Sequence, residues 1–171
     1  MGFSITSNSV LRGTYGNYRN LVSKNDREHA SNEMLSQADS YALKRAIKNL
    51  KSSIYTDKKD LTESGGNVVN YTKKLKAFLD TYNNTLDSSK KSDNADIKKA
   101  YKSMQGLVKK YKNELESLGI NYDKDGYMKM SSSLKIKTNE NYENLFGKKS
   151  SFLSELEKIP NKIKNHINIV V

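Results

Sequence analysis

The chain has 171 residues, a formal net charge of +11 and a hydrophobic content of 35%, and it contains no cysteine. The lack of cysteine excludes disulfide scaffolds, cysteine-ligated zinc and thiol nucleophiles. A mean hydropathy of -0.81 is low for a thick globular core and favours helices that bury only a thin apolar seam.

The positive charge would favour nucleic acid, anionic membranes or acidic proteins as partners, but charge alone identifies none of them. Residues 1–18 lack the apolar region of a signal peptide, and no later stretch approaches the length of a membrane span. We therefore expect no membrane insertion and no export through a signal peptide.

Residues 1–28 are polar and rich in Gly, Asn and Tyr, with short apolar pairs such as Val10 and Leu11. Too few apolar residues are present to predict independent folding. We expect an arm that becomes ordered on a partner, with Val10 and Leu11 among its contacts.

A helical domain is predicted from residue 29 to residue 160. Its first long helix runs from about Glu28 to Leu61, where the apolar residues recur at helical spacing: Leu43, Ile47, Leu50 and Ile54. The glycine pair in Glu63–Asn67 predicts the end of this helix. A second apolar stripe follows and ends at the polar stretch Asp87–Asp96, which predicts a loop: Val68, Tyr71, Leu75, Phe78, Tyr82 and Leu86.

The third predicted helix has the most regular pattern, with steps of four and three residues typical of a coiled-coil seam. Its seam residues are Ile97, Tyr101, Met104, Val108, Tyr111, Leu115 and Leu118. Lysines between these positions fall outside the seam, so we interpret them as a solvated face. The three helices together predict an elongated antiparallel helical bundle or coiled coil.

The stretch Asn121–Met130 has two interpretations, a calcium loop or a tight turn. Asp123, Asp125 and Gly126 occupy the third, fifth and sixth positions of an EF-hand loop, but the twelfth position, which needs a bidentate carboxylate, is Ser132. We therefore predict a short β-hairpin near residues 120–130 with a turn at these three residues, and no metal.

Shorter helices are predicted after the hairpin, the last of them carrying Phe152, Leu153, Leu156 and Ile159 and ending before Pro160. Residues 161–171 form a predicted tail. Its apolar end is a candidate contact for a partner, with Ile169 and Val170 as the residues involved.

Residue patterns typical of catalysis are not evident. Neither His29 nor His166 has neighbours that form a nucleophile–base or metal pattern, and Ser131–Ser133 lack the setting of a nucleophile elbow. We expect no enzyme activity, no cofactor and no small-molecule substrate. Tyrosines on the predicted seams would pack between helices, so they are not free to stack on nucleic-acid bases.

Three stretches in order resemble the C-terminal region of the flagellar filament-cap family, the hook-associated FliD proteins: "FLDTYNNTL" (78–86), "LESLGINYDKDGYMKM" (115–130) and "NLFG" (144–147). The resemblance covers about residues 68–156. It implies an axial helical hairpin in a secreted structural protein that is not an enzyme. Two departures from the family are the lack of room for its large insertion domains and a last helix interrupted by Pro160.

Two classes of function therefore stay open. The first is a structural or assembly protein that packs against itself or flagellar axial subunits, with Phe78, Tyr82, Leu115 and Ile120 in its frame. It would reach the extracellular flagellum by export without a signal peptide. The second is a basic helical module for nucleic acid or another anionic partner, which is not favoured and would be cytoplasmic.

Overall fold

A computed structural model describes residues 5–52, 65–131 and 139–165. In these three ranges the chain is mainly helical, with a small two-stranded antiparallel sheet. The elements in chain order are α1 (Ile5–Tyr15), a 3-10 helix (Gly16–Val22), α2 (Lys24–His29), α3 (Asn32–Lys51), α4 (Gly65–Lys91), α5 (Ala95–Lys110), α6 (Lys112–Ser117), β1 (Ile120–Tyr122), β2 (Met128–Met130), α7 (Asn139–Phe146) and α8 (Ser151–Asn165).

The N-terminal segment, residues 5–30, packs on the rest of the chain and corrects the prediction of a partner-dependent arm. Leu11, Tyr15 and Leu21 are buried in a cluster, the N-terminal cluster, completed by small side chains of α3 and α4: Ala38, Ala42 and Ala77. These alanines allow α1 to approach closely, so its few apolar residues find their burial within the chain. Leu11 therefore faces inward, and Val10 is half-buried against the same cluster.

Helix α3 begins later than predicted because the Ser31 hydroxyl caps it, accepting a hydrogen bond from the amide of Met34 at 3.2 Å. Helix α3 packs along α4. The two run antiparallel, since the Ser36 hydroxyl donates to the Ser88 carbonyl and the Thr85 hydroxyl donates to the Asp39 carbonyl.

Both predicted ends of the second helix are wrong. Helix α4 begins with Gly65, Gly66 and Asn67, which do not form a turn. The first amides of any helix lack a partner within the helix, so glycine in the first turn destabilises α4 little. At the other end α4 continues to Lys91, because Ser88 and Ser89 are buried rather than solvated. The polar composition of Asp87–Asp96 predicted a loop, but Ser88 in this stretch packs against Ser36 of α3.

The predicted seam residues of the third helix all lie on the side of the helix that faces the protein interior. The helix bends at Tyr111, where φ is -104° and ψ is 26°. Tyr101 and Tyr111 are half-buried, and the other five seam residues are buried: Ile97, Met104, Val108, Leu115 and Leu118. Asn94 caps α5 by accepting from the amides of Asp96 and Ile97.

The hairpin pairs Ile120 with Met130 and Tyr122 with Met128. The Asp123 carboxylate accepts hydrogen bonds from the amides of Asp125 and Tyr127, at 2.9 and 3.0 Å, and Gly126 has a φ of 92°. A side chain would be strained at that φ, so the turn uses glycine for its backbone geometry.

Helix α8 continues through Pro160 to Asn165, which corrects both the predicted break and the tail at residues 161–165. A proline inside a helix costs about 3 kcal/mol. Burial of Phe152, Leu156 and Ile163 on one face of α8 offsets that cost. Ile169, Val170 and His166, like Ile54 and Ser132, lie outside the described residues.

The main core contains side chains from α3, α4, α5, α6, α7 and α8 and from both strands of the hairpin. Its centre is a group of aromatic rings in which Phe78 lies 5.7 Å from Phe146 and 6.5 Å from Phe152, centroid to centroid. Ile120 of β1 is buried in the same core. No helix among the described residues is long and apolar enough to cross a membrane.

Candidate functional site

Three consecutive residues of α4 attach three different elements to this helix. The Tyr82 hydroxyl donates to the Met104 carbonyl of α5 at 3.3 Å. The Asn83 side chain donates to the Met128 carbonyl and accepts from the Met128 amide, both at 2.8 Å. Asn84 donates to the Tyr15 hydroxyl at 2.8 Å. This stretch of α4 therefore holds α5, the hairpin and α1 in place.

A buried ion pair fixes the N-terminal segment to α3. The guanidinium of Arg27 donates to both carboxylate oxygens of Asp39, at 2.8 and 2.9 Å, and Asp39 is fully buried. Arg27 also donates to the carbonyl of Leu21, and the Tyr15 hydroxyl donates to Asp39 at 2.6 Å. Charge-assisted, bidentate bonds of this kind are the strong ones among protein hydrogen bonds.

Burial and the adjacent negative charge of Asp39 raise the pKa of the Tyr15 hydroxyl well above its usual value, so it stays protonated and donates. Burial alone would lower the pKa of Arg27. The hydrogen bonds and charge of Asp39 outweigh burial and raise that pKa. Arg27 is thus a permanent cation in this pair, and the network is structural in character.

A groove of about 440 Å³ lies between α3 and α8, with Tyr18 of the 3-10 helix at one side; it is called the α3–α8 groove below. Its walls come from one stripe on each helix. On α3 the stripe is Tyr41, Lys44, Arg45 and Lys48, with Gln37 and Ser40 extending the wall by one turn, and on α8 it is Glu157, Pro160, Asn161 and Lys164. Both sets follow the same spacing of i, i+3, i+4 and i+7, so each forms one helix face.

The aromatic side of the groove is packed in a fixed arrangement. The rings of Tyr18 and Tyr41 meet edge to face at 5.8 Å. The Arg45 guanidinium lies 5.6 Å from the Tyr41 ring centroid and donates to its hydroxyl at 2.9 Å. A Cβ on Gly16, whose φ is 59°, would lie 2.9 Å from an Arg45 nitrogen, so glycine permits this close approach.

The groove carries an excess of positive charge. Lys44 donates to the neutral amide oxygen of Asn161 at 2.9 Å. Glu157 is paired with Lys51 at 2.7 Å. In the part of the chain that the structure describes, no ion pair joins the four groove cations to a carboxylate: Lys44, Arg45, Lys48 and Lys164.

The predicted turn residues lie away from the groove and serve the hairpin. Asp125 accepts from the Tyr101 hydroxyl at 3.4 Å and lies 3.8 Å from the Lys90 ammonium. The Gln105 amide donates to the Asp125 carbonyl at 3.0 Å. Among the described residues, no group of three or more His, Cys, Asp or Glu side chains is arranged to hold a metal ion.

The sequence interpretation missed the groove. Its spacing on α3 was visible, with Tyr41 followed by cations at one turn and two turns. The meeting of α3 with α8 was not visible, because the contact between Lys44 and Asn161 spans 117 positions.

The chain matches no protein-family model, and it shows no match to a curated protein or to a solved structure.

Proposed function

We propose that the protein is a non-enzymatic assembly protein that binds copies of itself or flagellar axial subunits, as the resemblance to the filament-cap family implies. Its place would then be the extracellular flagellum.

The observation that supports this proposal is the packing of the three stretches that carry the resemblance. Phe78 of the first stretch contacts Phe146 of the third, and Asn83 of the first is bonded twice to Met128 of the second. The three stretches thus form one packed unit. A motif whose parts support each other in space is a stronger basis than the separate pieces.

The same packing restricts where a partner can bind. The predicted frame residues Phe78, Tyr82, Leu115 and Ile120 are fully buried inside the chain. A partner helix therefore cannot use the seam without opening the fold. Partner contacts must lie on the outer faces of the helices, and association by exchange of the seam is disfavoured.

Analytical ultracentrifugation of the full chain, alone and mixed with purified flagellar axial subunits of its source, tests the proposal. We expect self-association or a stoichiometric complex with one of these subunits. A chain that stays monomeric and binds none of them would overturn the assembly function.

A second candidate, a basic module for nucleic acid, has one observation in its favour. Lys98, Lys102 and Lys109 lie exposed along one face of α5, and among the described residues none of them is paired with a carboxylate. Nearby lysines are paired, including Lys99 with Asp96. Binding to random duplex DNA that weakens steeply with added salt, together with loss of binding in a Lys98→Gln/Lys102→Gln/Lys109→Gln variant, would establish this function.

A further inference from the structure

We propose that the α3–α8 groove binds a short acidic segment of a protein partner, with glutamate or aspartate side chains alternating with apolar ones. This inference rests on the proposed function, since it assigns the surface through which a protein partner would bind.

The charge of the groove is the first argument. Lys44, Arg45, Lys48 and Lys164 surround one cleft, and Glu157 is already engaged by Lys51. Within the described ranges, unpaired lysines also lie along α5, at Lys98, Lys102 and Lys109, but these lie on an open helix face, whereas the groove cations converge on one cleft. Like charges held around a cleft repel each other, and an anionic partner relieves that repulsion.

The shape of the groove is the second argument. From Gln37 to Lys48 its α3 wall extends for about 16 Å along the helix axis, at the usual rise per residue. An extended peptide advances about 3.3 Å per residue, so about five residues would fill this length. Alternate side chains of such a peptide point to opposite sides, toward the α3 wall and the α8 wall. Cations lie on both walls, and Tyr18 and Tyr41 add apolar surface beside those of α3, so a peptide that carries both carboxylates and apolar side chains matches the lining.

Tyr41 supplies an apolar contact, and binding costs this side chain little conformational entropy. It is the only large apolar side chain besides Met34 that stays exposed among the described residues, at 41% of its area. Its ring is held by Tyr18 and Arg45, so little rotamer freedom is lost when a ligand packs on it. Rigid tyrosines of this kind are common at the centre of protein interfaces.

A peptide fits the groove better than a phosphate does. Phosphate sites typically use backbone amides at a helix N-terminus. The lining residues instead lie in the interior and last turns of α3 and α8, where the backbone amides are engaged in the hydrogen bonds of the helices themselves. Lysines, as flexible point charges, suit carboxylates spread along a chain.

Fluorescence anisotropy with a labelled peptide of alternating glutamate and leucine tests the proposal. A second peptide with glutamine at every glutamate position keeps the shape and removes the charge. The groove variant is Lys44→Gln/Lys48→Gln/Lys164→Gln. The matched control is Lys98→Gln/Lys102→Gln/Lys109→Gln, which removes the same charge from the outer face of α5.

We expect the groove variant to bind the acidic peptide at least about tenfold more weakly than the unmodified chain, from three lost pairings at a surface site. The control variant should change the affinity less than about twofold, and the glutamine peptide should bind weakly to every form. Tyr41→Ala should also weaken binding of the acidic peptide.

Equal losses in the groove and control variants would overturn the proposal, because the peptide would then respond only to overall charge. Competition by inorganic phosphate or random duplex at the concentration of the peptide would likewise overturn it. The assembly function has a separate readout: if the groove variant still forms the complex seen by ultracentrifugation, the groove proposal fails and the assembly proposal stands.

Discussion

The main core and the N-terminal segment are held by opposite means. In the core, aromatic and aliphatic side chains from six helices and the hairpin interlock, and Phe78 packs against rings from two other helices. The N-terminal segment buries few apolar residues and is fixed through Arg27, Asp39 and Tyr15. Apolar packing spreads stability over many contacts, whereas a polar network concentrates it in a few groups that fail together.

Phe78→Ala should have the largest effect, because it removes the ring at the centre of the main core. We expect a loss of about 4 kcal/mol in the free energy of unfolding, typical of a large cavity that cannot collapse. Urea denaturation followed by circular dichroism measures it. Met34→Ala, at a side chain that is 46% exposed, is the control and should change stability by less than about 0.5 kcal/mol. A loss below about 1 kcal/mol for Phe78→Ala would show that the ring is not central.

Asp39→Asn should destabilise the N-terminal segment more than the main core, because it leaves the Arg27 charge without its partner. We expect a loss of about 3 kcal/mol, less than for a fully buried pair since Arg27 keeps 16% of its side chain exposed. Hydrogen exchange should accelerate in residues 9–29 far more than in α5. Adding Arg27→Met should recover part of the loss, since the orphaned charge is then gone. Uniform acceleration in both regions would contradict this division.

Asn83→Ala and Asn84→Ala compare single attachments of the two regions. Asn83 makes two hydrogen bonds to the hairpin, and its loss should cost about 2 kcal/mol. Asn84 makes one bond to Tyr15, and its loss should cost about 1 kcal/mol. Thermal melts of the two variants give the values. If the Asn84 variant were the less stable, the N-terminal network would be a larger contributor than its single bond suggests.

The smallest effect concerns alkaline pH at the hairpin. Burial, together with the charge of Asp87 and a hydrogen bond to it, raises the pKa of Tyr127 from 10.0 to about 12. Because the folded pKa is the higher one, the contribution to stability is full below pH 10 and is lost as the pH rises through about 12. The slope of stability against pH in that window should be shallower in Tyr127→Phe than in the unmodified chain. Identical slopes would argue against this origin.

The mainly helical fold with a small hairpin could be predicted, because periodic apolar residues and an Asp-Gly turn are local signals. The seam from Ile97 to Leu118 follows its predicted face even though the backbone bends at Tyr111. Helix ends were harder to predict. Ser88 and Ser89 have the composition of a loop, but both are buried, and the Ser88 carbonyl accepts a hydrogen bond from Ser36 of α3.

The N-terminal segment and the groove could not be predicted for a different reason, because both depend on contacts between distant positions. Tyr15 meets Asp39 across 24 positions and Asn84 across 69. An isolated polar stretch with few apolar residues gives no hint that its tyrosine and arginine meet one buried carboxylate. The break at Pro160 was wrongly predicted because proline destabilises a helix locally, whereas the burial of one face of α8, which offsets that cost, depends on distant parts of the chain.

The two hydrogen bonds between the Asn83 side chain and the Met128 backbone also bear on aggregation. In an antiparallel ribbon, alternate residues direct their amide and carbonyl away from the paired strand, and such an open edge can recruit strands from other molecules. At Met128 those outward groups are taken by the Asn83 amide, which imitates the next strand with a single side chain. Replacement of Asn83 would therefore expose an unpaired strand edge as well as loosen the hairpin. The variant should form intermolecular β-structure, measured by thioflavin T fluorescence, at concentrations where the unmodified chain forms none.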